Sequence, residues 1–367
     1  MINKVWLSVP KQFHWMKKDD GTLVMLIPGF PESETDSTCL PMQQAFALSL
    51  KRLYPQLEII VLSFQYPYHT EKYTWFDIQV IPFSGRNKGW IKKLLLRKKI
   101  KTVLKEIHST RTITGLLSFW CAECAMVGKS FADKYDIKHL CWISGQDARK
   151  KNYYVKKIEP RATELVALSD FLQQEFERNH SIRPEYIVPS GIDLNSLAEK
   201  DLRKDIDILG AGSLIPLKQY NIFLELIYEI KKTLPSIKVL LCGKGPEENN
   251  LKTQLNKLGL QNNVTLTGEL PNTELVRLMR RSKLLLHTSS YEGLSGVCLE
   301  ALHAGAHVIS FCKAMDHSIE NWHIVKDKEE MKQKALEILQ NPAIEFKAVV
   351  PYTTDESAKK IMQLFTS

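Results

Sequence analysis

Residues 284 to 310, reading LLLHTSSYEGLSGVCLEALHAGAHVIS, constrain this chain more than any other stretch. A short apolar run (Leu284 to His287) stops at a polar turn of small residues (Thr288 to Gly296). A helical stretch follows to Gly305, and a second apolar run (Ala306 to Ser310) resumes. The order predicts strand, loop, helix and strand, half of a layered α/β unit. Gly293 and Gly296 are expected to let the backbone come close to a ligand, and the first helical turn carries N–H groups without intrahelical partners, which suits phosphate.

Two carboxylates frame the loop, Glu292 before the helix and Glu300 inside it. At helical rise Glu300 lies on the order of 8 Å along the axis from Ser295, so the two cannot serve one ligand atom. A carboxylate does not neutralise phosphate but accepts strongly from hydroxyls. The pair therefore fits an extended ligand with a sugar at one end, a ribose at the other and a diphosphate between. The alternative, Glu292 as a helix cap and Glu300 on a solvated face, stays open on spacing alone.

The run YEGLSGVCLEALHAGAHVI, with seven residues between its two glutamates, resembles the donor-binding signature of the family-4 retaining glycosyltransferases. Four further pieces stand in that family's order: PSGID (Pro189 to Asp193), GAGSLIPLKQ (Gly210 to Gln219), LLCGKGPE (Leu240 to Glu247) and VTLTGEL (Val264 to Leu270). The resemblance is close from about Leu165 to Ile309. It implies the GT-B fold, two Rossmann-like α/β domains facing each other across a cleft. It also implies a nucleotide diphosphate sugar, UDP-linked, as donor, a glycan or lipid-linked acceptor of cell-surface polysaccharide or lipopolysaccharide synthesis, and retention of configuration with neither metal nor cofactor. Glu292 would position the donor sugar, Lys218 and the loop N–H groups would stabilise charge on the leaving diphosphate, and Glu300 would hold the ribose. Ser213, Gly243, Gly245, Gly293, Leu294, Ser295 and Gly296 would border the donor. Two positions depart from the family pattern: Ser213 stands where arginine is common, and Ser144, in SGQD (Ser144 to Asp147), where histidine is. Ser144 and Asp147 are the expected acceptor-side contacts.

At 367 residues the chain is long enough for two α/β cores. The expected division is an acceptor domain over 1–199, a donor domain over 200–350, and a carboxy-terminal helix over 351–367 that crosses back to the first domain. No apolar run approaches the roughly 18 residues of a membrane span, and the amino terminus lacks signal-peptide order, so a cytoplasmic location is expected. Seven cysteines without regular spacing fit reduced thiols, and the lone Cys121-Ala-Glu-Cys124 has no second pair for a metal. Leu23 to Ile27 reads as a buried parallel strand. VWLSV, within the first 22 residues, could add another, and Gly115 to Ser118, His139 to Ser144, Glu164 to Ser169 and Tyr186 to Pro189 continue the series. The loop after the first strand carries Glu32, Glu34 and Asp36, which would repel a diphosphate, so it faces either acceptor or solvent. Asp205 and Asp207 form a D-x-D that leads straight into a strand, a poor place for a metal.

One segment is strongly polarised. Arg86 to Lys105 holds nine Lys or Arg and no acid, equal to the whole formal charge of +9. Trp90, Ile91, Leu94, Leu95, Val103 and Leu104 recur there at helical spacing between cations, as in a helix lying on an anionic membrane. Trp90, Lys92, Lys93, Arg97, Lys98 and Lys99 are the candidate contacts of a peripheral protein at the inner membrane face, and Arg149 to Lys151 with Lys156 and Lys157 could extend that surface. An ordinary domain helix is the competing reading. Nucleic acid is not expected, since no recognition motif or stacking platform accompanies the charge. Beside sugar transfer stand three other classes: a nucleotide-sugar epimerase of the same fold, a non-catalytic sugar-nucleotide-binding subunit, and a basic adaptor.

Overall fold

The computed structural model describes residues 21–86, 89–194 and 203–366. The extra strand at VWLSV and the domain boundary near residue 200 lie outside these residues. The first sheet contains β1 (Thr22–Gly29), β2 (Glu58–Tyr66), β3 (Tyr73–Trp75), β4 (Ile78–Pro82), β5 (Ile113–Phe119), β6 (His139–Ile143), β7 (Leu165–Ala167) and β8 (Tyr186–Ile187). Helices α1 (Pro41–Leu53), α2 (Trp90–Thr110), α3 (Glu123–Tyr135), α4 (Tyr154–Ile158) and α5 (Asp170–His180) intervene. The second sheet contains β9 (Ile206–Ala211), β10 (Val239–Cys242), β11 (Val264–Gly268), β12 (Ser282–His287), β13 (His307–Ser310) and β14 (Trp322–Ile324). Its helices are α6 (Tyr220–Thr233), α7 (Glu248–Lys257), α8 (Asn272–Arg281), α9 (Gly296–His303) and α10 (Lys328–Gln340), and α11 (Thr354–Thr366) ends the series.

The strand orders are β3-β4-β2-β1-β5-β6-β7-β8 and β11-β10-β9-β12-β13-β14. Every pairing is parallel except β3 with β4. Both sheets are wound outward in two directions from a central strand, β1 in one and β9 in the other. The order reverses between β1 and β5 and between β9 and β12, and in such sheets ligands bind outside the carboxyl ends of the strands at that reversal. Parallel strands covered on both faces need continuous apolar sequence, and Leu23 to Ile27 are indeed wholly buried. The antiparallel β3, β14 and α10 were not anticipated. Three-residue strands carry too little periodicity to be read, and α10 is a mostly polar helix.

The two halves are tied at several points. From α11, Ala358, Ile361, Met362 and Phe365 sit in the core under the first sheet, and the Phe365 ring lies where a Cβ on Gly115 would be, 2.3 Å from its edge. Asp355 pairs with Arg52 and accepts from Ser49, both on α1. Ile192 bridges to Thr353.

The D-x-D aspartates are consumed by ion pairs along the second sheet: Asp205 Oδ2 lies 2.6 Å from Arg281 Nη2, and Asp207 Oδ1 lies 2.8 Å from Lys283 Nζ. Cys121 and Cys124 are buried free thiols. The acidic loop after β1 is braced by hydrogen bonds from within and from β2 and the turn after β3. Asp36 accepts from the Thr38 and Cys39 amides and from the Thr38 and Tyr66 hydroxyls, and Glu34 accepts from Phe76 N.

The basic helix departs from the expected stripe. Leu96, Ile100, Leu104 and Ile107 face the core, so Leu104 is not a surface contact, whereas Trp90, Ile91, Leu94 and Leu95 are exposed. Arg97 also turns inward, with Nε 2.7 Å from the Glu123 carboxylate of α3. Among the described residues no helix is long and apolar enough to cross a membrane.

Phe365→Ala empties a well-packed site on a helix that reaches the first sheet from the far end of the chain. It should cost about 3 kcal/mol in urea unfolding, and an unchanged midpoint would mean that α11 is not part of that core.

Candidate functional site

The site grows from the reversal between β9 and β12. After β9 the chain runs through Gly212 to a short turn, Pro216–Lys218, in which Pro216 supplies the fixed backbone angle of a first helical position. After β12 it runs through Thr288 to Ser295 before α9 begins. These two loops are stitched together: Thr288 Oγ1 donates to Lys218 O (2.8 Å) and Ser290 N donates to Leu217 O (3.0 Å). The stitching brings Lys218 Nζ to 2.5 Å from Glu292 Oε2. His287, at the buried end of β12, places Nε2 3.5 Å from the same oxygen and within 3.1 Å of Ser289 Oγ.

Burial opposes charge on Glu292, but the His287 hydrogen bond and the charge and hydrogen bond of Lys218 outweigh it and hold the carboxyl at about 2. Burial also works against a charged His287, and its contacts with the Cys298 sulfur and the Glu292 carboxylate overcome that, lifting it to about 9. The cluster is thus a carboxylate between two cations at neutral pH. Glu300 behaves in the opposite way. Burial raises its pKa, and Asn272 Nδ2 at 3.3 Å is the side-chain donor that opposes the rise.

The structure brings Lys218 and Glu292 into contact and sets Glu300 away on α9. Ser213 is exposed on the loop carrying Lys218. Leu294 is a core residue, so its side chain is unavailable to a ligand, and Ser295 is buried with Oγ 3.4 Å from His287 Nε2. Ser295 makes no side-chain cap on α9, which leaves the first amides of that helix without one.

The loop glycines have a further neighbour that the sequence did not show. A Cβ on Gly293 would lie 2.6 Å from Leu172 of α5, and one on Gly296 would lie 2.7 Å from the Met42 sulfur of α1. The close approach that these glycines permit is to the first half of the protein. Gly243 and Gly245 abut the Lys218 loop in the same manner: a Cβ there would meet the Gly212 and Leu214 carbonyl oxygens at 1.9 and 2.4 Å.

Across the seam, Ser169 Oγ donates to Gly293 O (2.7 Å), Tyr291 Oη donates to Gly145 O (2.9 Å), and the Phe171 and Tyr291 rings pack edge to face. Arg149 lies over the Tyr291 ring, so it belongs to this seam and not to the basic surface of α2. The acceptor-side expectation also needs correction at Asp147. That carboxyl is buried, accepts from Ser144 N at 2.8 Å to close the turn after β6, and is raised to about 7 by burial. Ser144 itself is partly exposed at the carboxyl edge of the first sheet.

Sequence reasoning missed His287 and Tyr291. A histidine ending an apolar strand resembles any buried histidine. Its signal was position, the last residue of the strand at the sheet's reversal and five before Glu292.

His287 titrates near 6.5 when unfolded and near 9 when folded. Its stabilisation is therefore complete below the lower value and is lost as pH rises through the upper one. The unfolding free energy that separates wild type from His287→Asn should shrink by about 3 kcal/mol across that window. A difference that is flat with pH would show that His287 is neutral in the fold.

Residues 196–355 match the family described as glycosyl transferases group 1. The chain is 23% identical over 260 residues to an uncharacterized glycosyltransferase of Methanocaldococcus jannaschii, a match covering 63% of this chain and 64% of that protein. The match thus spans less than two thirds of that relative. Among solved structures, Anabaena Alr3699/HepE in complex with UDP-glucose superposes with a TM-score of 0.67 at 16% identity, covering 94% of this chain and 95% of that one. The lipopolysaccharide outer core galactosyltransferase WaaB, in its apo form, gives 0.62 at 13% identity, covering 94% and 97%. At these identities the superpositions establish architecture: the chain has the GT-B fold, and its residues 196–355 match the glycosyl transferases group 1 family.

Proposed function

We propose that this chain transfers a sugar, with retention of configuration, from a UDP-linked donor to a glycan or lipid-linked acceptor of cell-surface polysaccharide or lipopolysaccharide synthesis. The observation that carries the reading is the Lys218–Glu292 contact at the reversal of the second sheet, next to Tyr291, whose hydroxyl donates to Gly145 O of the first half. In the donor complex Lys218 exchanges part of its pairing with Glu292 for the diphosphate. There it and the uncapped amides of α9 stabilise the charge that grows as the glycosidic bond breaks. Glu292, released on one side and still held by His287, accepts from hydroxyls of the donor sugar. Glu300 accepts from the ribose, an assignment supported by its partly buried carboxyl with a single amide donor. A leaving-group phosphate oxygen takes the acceptor proton, so the chemistry needs no dedicated protein base.

The donor half is assigned to the second sheet and the acceptor half to the first, with α11 returning to the acceptor half. UDP and UDP-glucose are bound by Anabaena HepE, and WaaB acts on lipopolysaccharide outer core. These likenesses support a nucleotide sugar and a surface glycan as reactants. Ser144 and Ser213, where the family favours histidine and arginine, support a second reading, a subunit that binds a sugar nucleotide without turnover.

Calorimetric titration with UDP and GDP, with and without EDTA, decides the donor site. UDP should bind with or without the chelator. Lys218→Ala should weaken it about 10- to 100-fold through loss of a charge-assisted contact, and Glu300→Ala about 10-fold. Absence of binding to either nucleotide removes the donor assignment. Binding without release of sugar from any UDP-sugar, in the presence of candidate acceptors, favours the non-catalytic subunit.

A further inference from the structure

The start of α2 leaves four large apolar side chains in water: Trp90, Ile91, Leu94 and Leu95 are 74, 57, 47 and 60% exposed. They are contiguous along two turns, which distinguishes them from the scattered apolar residues of an ordinary surface. The helix is held by other residues, Leu96, Ile100, Leu104 and Ile107, so nothing in its folding requires this patch to be apolar. Trp90, Leu94, Arg97, Lys101 and Lys105 follow one another at intervals of three or four, so one face of α2 passes from apolar to cationic within two turns.

Beside the cationic part lies a groove of about 650 Å³ between α2, α3 and α4, with Arg97, Lys101, Lys129, Lys134 and Lys157 on its walls. Arg97 is matched by Glu123, and Lys129 by Asp133 and Glu164. Among the described residues Lys101, Lys134 and Lys157 have no carboxylate partner. Lys101 donates to Ser130 Oγ, and the ammonium groups of Lys134 and Lys157 rest on the rings of Tyr135 and Tyr153. Burial, then the charges of Arg97 and Lys134, lower the Lys101 pKa, so the groove holds cations in mutual repulsion that an anion would relieve.

We propose that the amino-terminal turns of α2 and this cationic groove together dock the protein on an anionic phospholipid surface. The indole and aliphatic side chains enter the interface, and headgroup phosphates neutralise Lys101, Lys134 and Lys157. The same patch argues against nucleic acid as the occupant, because three of its four side chains are aliphatic, and a single indole beside them makes no platform for successive bases. Orientation fits the docking. Helix α2 follows β4 and returns to the parallel β5, so it begins at the carboxyl edge of the first sheet, the edge that also carries Ser144. A membrane met there lies on the cleft side. The docking does not depend on the transfer reaction.

Co-sedimentation with vesicles of phosphatidylcholine, alone or mixed with phosphatidylglycerol, tests this in the full chain. Wild type should pellet with the mixed vesicles only, less so in high salt. Trp90→Glu/Leu94→Glu, both at exposed positions, should stay in the supernatant even at low salt while every cation remains. Lys101→Glu/Lys134→Glu should lower the partition coefficient at least about 30-fold, from about 5-fold per cation lost. Unchanged thermal unfolding of both variants shows that neither result comes from misfolding. Wild type that stays in the supernatant with mixed vesicles overturns the proposal, as does a Trp90→Glu/Leu94→Glu variant that pellets like wild type. If the charge-reversed variant keeps its full partition, the groove has no part in docking.

Discussion

A carboxylate taken out of water must be matched or protonated, and at Glu292 the structure matches it. The compensation comes from two places far apart in sequence, Lys218 after β9 and His287 at the end of β12. They meet because those strands are neighbours in the sheet although β10 and β11 separate them in the chain. Much of the second half can be understood from that requirement. Pro216 sets the turn that aims Lys218. The Leu217 and Lys218 carbonyls accept from Ser290 and Thr288 so that the two loops move as one. Gly243 and Gly245 let the next loop lie flat against them. A cluster of one anion between two cations also carries surplus positive charge, which suits it to a diphosphate more than to a neutral ligand.

The same loop makes the seam between the halves. Its carbonyl at Gly293 is bound by Ser169, its Tyr291 hydroxyl binds Gly145, and its two glycines make room for Leu172 and Met42. A change in this loop is therefore felt across the seam without any intermediary. The seam is also where Ser144 stands, held by the buried Asp147 carboxyl through its amide. The two halves are thus linked by side-chain hydroxyls that donate to backbone carbonyls and by side-chain packing, and the contacts of α11 with the first sheet lie apart from both.

How much of this was legible depends on whether a residue's role is local. The strand, loop and helix of 284–310 were legible because apolar runs, small polar residues and a glycine stop each leave a mark within a few positions. GT-B architecture was legible from five motifs in order, and the superpositions share it. Glu292 and Lys218 were named from separate motifs, but no spacing within either could say that they touch. The glycines were legible as positions of close approach, but not that Leu172 and Met42 approach them, because those residues lie 121 and 254 positions away in the chain. Asp147 was named as an acceptor-side contact and is buried, since a turn-closing carboxylate and a ligand-binding one share the same four-residue pattern. On α2 the period was right and the face was mixed. Two apolar sets share that helix, and only packing against β-strands and α3 shows which one is core.

The two glutamates of the signature show why environment, and not spacing, assigns chemistry. Glu292 and Glu300 are the same side chain in one short run, yet one is depressed to about 2 and the other raised. The first is surrounded by donors that already carry charge, so it stays an anion and can trade lysine for ligand with little change in its own state. The second is enclosed with one amide, so its ionised form lacks donors. A ligand that brings hydroxyl groups would supply what is missing and draw its pKa back down. A vicinal diol such as a ribose does that, whereas a phosphate would worsen the imbalance. In the transfer reaction proposed above, the charge-rich end of the run is accordingly the end assigned to the diphosphate and sugar, and the donor-poor end the one assigned to the nucleoside.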